Sequence, residues 1–290
     1  MPGRRHLVLA TAVARTVVLG GVPDAPAAPR RPAAPPGPGS PEIGPSAPLG
    51  GLQGFLRAGV PEVTRVSGNW AGYLVSGEPG SFTVVEARWT QPAADCADAP
   101  YDTIAAVWVG LDGTDGGKGT VQQTGTSSEC VEDERVYNAW YEMWPGVAVE
   151  YNDPVEPGDR LWARVEYIGN DTYELFLRNI TKKWTEITYA KPRAGADPKR
   201  AFAEVIVEAG RGPRGTSFLT RFGRVAITGA KINGKPLGDS GPSKVIMKKD
   251  DVLKATTTKL TDGGSAFRVI WKNWGASARP GPTSPSRNAR

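Results

Sequence analysis

Two glutamates interrupt the strand-like stretch AFAEVIVEAG at 201–210. Side chains of a strand alternate between its faces, so Glu204, Ile206 and Glu208 share one face and Ala203, Val205 and Val207 the other. Carboxylates on an otherwise apolar strand are candidates for general acid–base work. VYNAWYEMWP at 136–145 sets Asn138, Trp140, Glu142 and Trp144 on one face, opposite Tyr137, Ala139, Tyr141 and Met143. Aromatic rings beside a carboxylate suit a groove that offers apolar contact and hydrogen bonds together. A core face with one buried, paired glutamate is the other reading of that pattern. TVQQTGT at 120–126 adds two adjacent amides, and TIAAVWVGLDG at 103–113 adds Trp108 and, at the strand end, Asp112.

Carboxylates and amides matter here because histidine, the commonest general base, is all but absent. The only histidine is His6, near the N-terminus. The rest of the chain runs neither a Ser-His-Asp nor a Cys-His mechanism, and it lacks the commonest zinc ligand. Carboxylates, amides, hydroxyls and lysines remain. Cys96 and Cys130 are the two cysteines; an even count in an apparently secreted chain is expected to form a disulfide. The glycine-rich GLDGTDGGKGT at 110–120 is not a phosphate loop, since Lys118 is followed by Gly119 rather than Ser or Thr and no helix follows. A flexible inter-strand loop is expected there.

Positioning such residues requires strands. Short apolar or alternating runs recur at 69–75, 82–89, 103–111, 136–144, 160–168, 172–179, 184–190, 201–208, 224–232, 244–249 and 267–272. Between them lie turn signals such as Pro157-Gly158-Asp159 and Asn233-Gly234. No long segment carries a 3.6-residue period. The expectation is an all-β, two-sheet antiparallel β-sandwich forming one domain over 61–274.

The flanks differ in character. Residues 1–21 have Arg4 and Arg5 before an apolar run interrupted by Arg15, the pattern of a secretory signal peptide. Residues 22–60 are rich in Pro and Ala and poor in large apolar side chains, as expected of a disordered pro-segment or linker. Residues 275–290 read as a disordered tail of similar type. The formal charge of +5 comes from these flanks: nine arginines lie there, leaving 26 basic against 28 acidic residues in 61–274. A near-neutral domain argues against a nucleic-acid partner. Asn170-Asp171-Thr172 and Asn179-Ile180-Thr181 fit the glycosylation acceptor pattern.

The ordered set SGNWAGYLV, AAVWVGLDG, VQQTGT, YNAWYEMWP, VEPGDRL, YELFLRNIT and FAEVIVE resembles the glutamic peptidase family, also called eqolisins, over roughly residues 67–208 and more loosely to about 272. The resemblance implies a concanavalin- or lectin-like jelly-roll sandwich. It also implies a secreted, extracellular endopeptidase that works at acid pH, without metal or cofactor, on protein or peptide substrates. A monomer with no nucleic-acid partner and no stable membrane association is expected. The family's Gln-Thr-Gly motif points to Gln123 as catalytic glutamine, with Gln122 the alternative register, and its Ala-Glu motif points to Glu204 as catalytic glutamate. Trp70, Trp108, Asp112, Trp140 and Glu142 match the supporting cleft residues. In the expected chemistry an ionised Glu204 takes a proton from water and later delivers it to the leaving nitrogen, while Gln123 stabilises the oxyanion. Activity well into acid then requires hydrogen bonds that depress the Glu204 pKa, or the titration of other cleft carboxylates such as Asp112 and Glu142. The chain departs from the family pattern at Val205, where an aromatic residue is usual, and at Ala209-Gly210, where Asp-Phe often stands. A carbohydrate-binding or glycoside-hydrolysing sandwich, with Glu142 and Glu204 as its acid/base pair, is the competing reading.

Overall fold

A computed structural model describes residues 63–99, 102–113, 119–212, 215–216 and 218–275. The leader, the Pro/Ala-rich segment and the tail after Gly275 therefore lie outside the described residues. Within them the chain forms strands and one short 3-10 helix, Leu237–Ser240. The first strands are β1 (Thr64–Ser67), β2 (Trp70–Ser76), β3 (Val84–Thr90), β4 (Thr103–Asp112), β5 (Val121–Val131) and β6 (Glu134–Trp144). Then come β7 (Val149–Glu150), β8 (Arg160–Gly169), β9 (Thr172–Asn179), β10 (Trp184–Ala190), β11 (Phe202–Glu208), β12 (Arg211–Gly212) and β13 (Gly215–Thr216). The last are β14 (Arg224–Ile232), β15 (Lys235–Pro236), β16 (Ser243–Lys249), β17 (Val252–Thr257) and β18 (Phe267–Trp271).

One layer contains β2, β11, β4, β5 and β6; the other contains β10, β9, β8, β3 and β14. Strands β4 and β5 pack across the interior on β8, β5 also on β9, and β11 on β3. The expected two-layer antiparallel sandwich is thus the observed architecture. Its layers are joined along one side, because β18, β17 and β16 continue the ladder from β14 round to β2. The short β1 runs parallel to β16.

Alternation explains the core. Inward positions include Val85 and Ala87 of β3, Leu161, Ala163 and Val165 of β8, and Tyr173, Leu175 and Leu177 of β9. Facing them are Tyr73 of β2, Val107, Val109 and Leu111 of β4, and Ala203, Val205 and Val207 of β11. Fully burying each large aliphatic side chain contributes about 1.5–3 kcal/mol. Val205, where the family carries an aromatic residue, lies in this core, so its change is one of packing.

Among the strands longer than two residues, β1, β5 and β17 are not anticipated by the alternation. The longest of them, β5, is polar on both faces: Gln122, Thr124, Thr126 and Ser128 alternate with Gln123, Ser127 and Glu129, all buried. The inward hydroxyls are satisfied locally. Thr124 donates to the Trp140 carbonyl, Thr126 to Gln91 Oε1, and Ser128 to the Pro92 carbonyl. The expected loop at 110–120 begins later than foreseen, since Gly110 to Asp112 belong to β4; residues 114–118 lie outside the described residues. Cys96 and Cys130 form the expected disulfide, which ties the segment after β3 to the end of β5. Of the two acceptor patterns, Asn179 is buried and donates to Asp159 Oδ2 at 2.7 Å, so that position is not available to a glycan; Asn170 is exposed.

Candidate active site

Strand register brings distant residues into one row. Glu204 of β11 stands opposite Gly110 of β4, Gly110 opposite Gln123 of β5, and Gln123 opposite Glu142 of β6. The row lies on the face turned away from the sandwich interior. Beside it, Ile206, Trp108, Gly125 and Trp140 form the next same-face row, and Trp70, Glu208, Ala106, Ser127 and Asn138 the one after. Trp70, Leu74, Ala106, Trp108, Val121, Trp140, Ile206 and Val245 pack as an apolar cluster separate from the main core.

Gln123 donates from Nε2 to Glu142 Oε2 at 2.5 Å, while its own Oε1 has no partner. The amide thus turns its nitrogen toward Glu142 and its oxygen away from it. Gln122 points the opposite way, into the sandwich, where neither amide atom is hydrogen-bonded. Of the two registers only Gln123 reaches the row.

Glu204 is fully buried, and neither carboxylate oxygen has a hydrogen-bond partner. Burial, aided by the nearby charge of Asp112, pushes its pKa well above the usual carboxylate range. Of the two routes to acid activity, depression by hydrogen bonds has no donor among the described residues, and an uncompensated buried carboxyl holds its proton. Glu142 is also raised well above the ordinary value, first by burial and then by the charge of Glu208, against the lowering bond from Gln123.

Asp112 ends β4 in a left-handed conformation at φ 69°. Its Oδ1 accepts the Ala201 backbone N–H at 3.0 Å, and Oδ2 the Thr120 hydroxyl at 3.4 Å. Burial raises its pKa and these bonds oppose the rise. The carboxylate thereby anchors the segment leading into β11, immediately before Glu204. Trp70 and Trp108 meet edge to face with centroids 5.0 Å apart. The indole nitrogens of Trp140 and Trp144 are buried without a partner. All seven residues singled out from the sequence for catalysis or the cleft therefore gather on or beside this face.

Gly110 and Glu208 were not given a role from the sequence. A Cβ at Gly110 would lie 2.8 Å from the Trp108 ring and 3.2 Å from Gln123 Cβ, so only glycine leaves the row open. Glu208 accepts two hydrogen bonds at the foot of the same face. Its position on the Glu204 face was legible from alternation; its partners were not. Glu142 and Glu204 stand at opposite ends of the row. Three inter-strand spacings, about 14 Å between Cα atoms, separate them, and Glu142 is engaged by Gln123.

Comparison with known proteins gives the chain a family. Residues 68–270 match the Peptidase A4 family. Aspergillopepsin-2 from Aspergillus niger is 25% identical over 217 residues, covering 68% of this chain and 76% of that protein. The fold resembles scytalido-glutamic peptidase, whose crystal structure holds a transition state analog inhibitor, with TM-score 0.58 and 18% identity over 71% of this chain and 98% of that one. It also resembles aspergilloglutamic peptidase from Aspergillus niger, with TM-score 0.52 and 24% identity over 58% of this chain and 99% of that one. With most of its sandwich inside the matched region, the chain belongs to the Peptidase A4 family of glutamic peptidases and is a glutamic endopeptidase.

Proposed function

We propose that this chain is a secreted endopeptidase active in acid, with Glu204 and Gln123 as its reacting groups. The observation that carries the reading is the row Glu204–Gly110–Gln123–Glu142, with both Glu204 oxygens and Gln123 Oε1 unpartnered. Roughly 10 Å separates the Glu204 and Gln123 Cα atoms, with the side-chain-free Gly110 between them.

Burial changes the expected order of proton transfers. With its pKa raised, Glu204 enters the reaction as a neutral acid. One oxygen donates its proton to the scissile carbonyl oxygen while water attacks the carbon. The other oxygen takes a proton from that water, giving a neutral diol and restoring the carboxyl. The carboxyl then protonates the nitrogen and accepts a proton from the diol as the C–N bond breaks, yielding acid and amine. Gln123 supports both steps. One N–H is held by Glu142, the second is directed at the carbonyl oxygen, and Oε1 accepts from the attacking water. An amide donor of this kind contributes about 10²–10³ in turnover.

Burial keeps Glu204 protonated and competent throughout the acid range, and the competent form is lost as pH rises through its elevated pKa. The Cys96–Cys130 disulfide supports secretion, since such bonds persist in oxidising compartments. The test is cleavage of an internally quenched peptide from pH 2 to 8 by wild type, Glu204→Gln and Gln123→Ala. Turnover in acid is expected from wild type, none from Glu204→Gln, and turnover reduced about 10²–10³-fold from Gln123→Ala. Wild-type-like cleavage by either variant would refute the assigned roles.

A further inference from the structure

We propose that Glu208 is a positioning residue of the peptidase site, acting through Trp108; the proposal rests on the reading of Glu204 and Gln123 as the reacting pair. Glu208 is fully buried. Its Oε1 accepts from Asn69 Nδ2 and its Oε2 from Trp108 Nε1, both at 3.0 Å. Two donors from separate segments of the chain thus converge on one carboxylate, one oxygen each.

The geometry leads from that carboxylate to the reacting gap. Held at its nitrogen, the Trp108 indole presents the far edge of its six-membered ring to Gly110, where an added Cβ would come within 2.8 Å of it. Gly110 is the residue between Glu204 and Gln123. A rotation of the indole therefore closes or widens the space in which the scissile amide must sit. On its other side the ring is braced edge to face by Trp70, the residue after Asn69, so the second arm of Glu208 fixes the brace as well. Gly125, opposite Trp108 on β5, lets the two strands approach until an added Cβ would lie 2.1 Å from the Val107 carbonyl oxygen. The same added Cβ would lie 2.7 Å from Trp108 Cβ, so the root of the indole is set by this close approach.

A charged acceptor suits this task better than an amide. A carboxylate accepts both N–H donors, whereas a glutamine here would turn an NH2 against one of them. Burying the charge requires compensation. Lys254 of β17 supplies it from close by: it is buried, its pKa is drawn down to about 8 by burial, and Glu208 pulls it back up. The lysine is fully charged throughout the acid range.

The test uses the full chain and the variants Glu208→Gln, Glu208→Asp, Trp108→Phe and the double variant Glu208→Gln/Trp108→Phe. Glu208→Asp keeps the charge beside Lys254 but withdraws the oxygens by about 1.5 Å, and it carries the test if Glu208→Gln does not fold. Each single variant is expected to lower kcat about 10–100-fold with KM changed less than about threefold. The double variant is expected to fall no further than the worse single one. Losses that multiply in the double variant, or an unchanged kcat in Glu208→Gln and Glu208→Asp, overturn the proposal. A second readout is independent of turnover: the 15N-indole resonance of Trp108, identified by its disappearance in Trp108→Phe, is expected to shift and lose exchange protection in both Glu208 variants. An unmoved indole resonance overturns the proposal even where kcat falls. A moved resonance in a chain whose wild type cleaves nothing would uphold the hold of Glu208 on the ring while sinking the roles given to Glu204 and Gln123.

Discussion

Replacing Gly110 by alanine tests whether an open row between Glu204 and Gln123 is a requirement of the site. The added methyl would lie 2.8 Å from Trp108 Cζ3 and 3.2 Å from both the Gln122 carbonyl oxygen and Gln123 Cβ. Two of these neighbours are backbone or the root of a side chain, and neither moves without moving β5. The third is an indole anchored at its nitrogen by Glu208. With no flexible tip to give way, the substitution behaves as core overpacking and costs about 1–3 kcal/mol. For a domain of this size that corresponds to a fall in melting temperature of roughly 2–12 °C. Activity should suffer more than stability. A displacement of about 1 Å in the positioned groups costs about 10²-fold in rate, and the methyl pushes directly on Gln123. Thermal unfolding and quenched-peptide turnover would be measured on one preparation, with turnover read well below the melting temperature. A Gly110→Ala protein with wild-type kcat and an unshifted melting temperature would refute the reasoning, because the row would then have room that the packing around Gly110 denies.

Two further outcomes test the electrostatics and the register. Glu129 is pushed up to about 7 by burial, with Glu150 adding to the rise and Ser127 and Asn138 opposing it. The folded state thus holds this proton more tightly than the unfolded chain. The associated stability is fully present below about pH 4.5, and about 3 kcal/mol is lost as pH climbs to 7. Urea titrations across that window should show the decline in wild type and a shallower one in Glu129→Gln. Gln122→Met removes an amide that is buried without partners, so it should leave stability equal or raise it by about 1–3 kcal/mol, with peptide turnover retained. Loss of turnover in Gln122→Met, checked beside Gln123→Met, would reverse the assignment of the two glutamines.

Much of the fold was legible because its strands bury one face. The alternation in β8 and β9 gives their bounds within a residue, and that in β11 correctly sends Val205 inward and Glu204 outward. It fails where burial is two-sided and polar. In β5 the inward residues are glutamine, threonine and serine; Thr126 and Ser128 bond with Trp89, Gln91 and the Pro92 carbonyl, the Gln122 amide bonds with nothing, and no local pattern announces either outcome. β17 was missed for a related reason, since its Lys254 is buried against the charge of Glu208. At the site, residue types were readable but their adjacency was not. That Gly110 lies between Glu204 and Gln123 depends on strand order, which spacing within a segment does not encode. That Glu204 is enclosed without a donor was not legible, because enclosure is a property of the assembled layers.

The strand order has a consequence for the life of the chain before it is finished. β11 is inserted between β2 and β4, although the whole of 113–201 separates it from β4 along the sequence. Until residues 202–208 leave the ribosome, the growing sheet has a slot at its centre and the proposed reacting pair is split. Emerging domains fold as units, and this one cannot assemble a proteolytic centre from its first half. On the proposed roles, synthesis order therefore acts as a safety catch: a stalled or truncated product that stops short of β11 carries Gln123 and its aromatic floor but not Glu204.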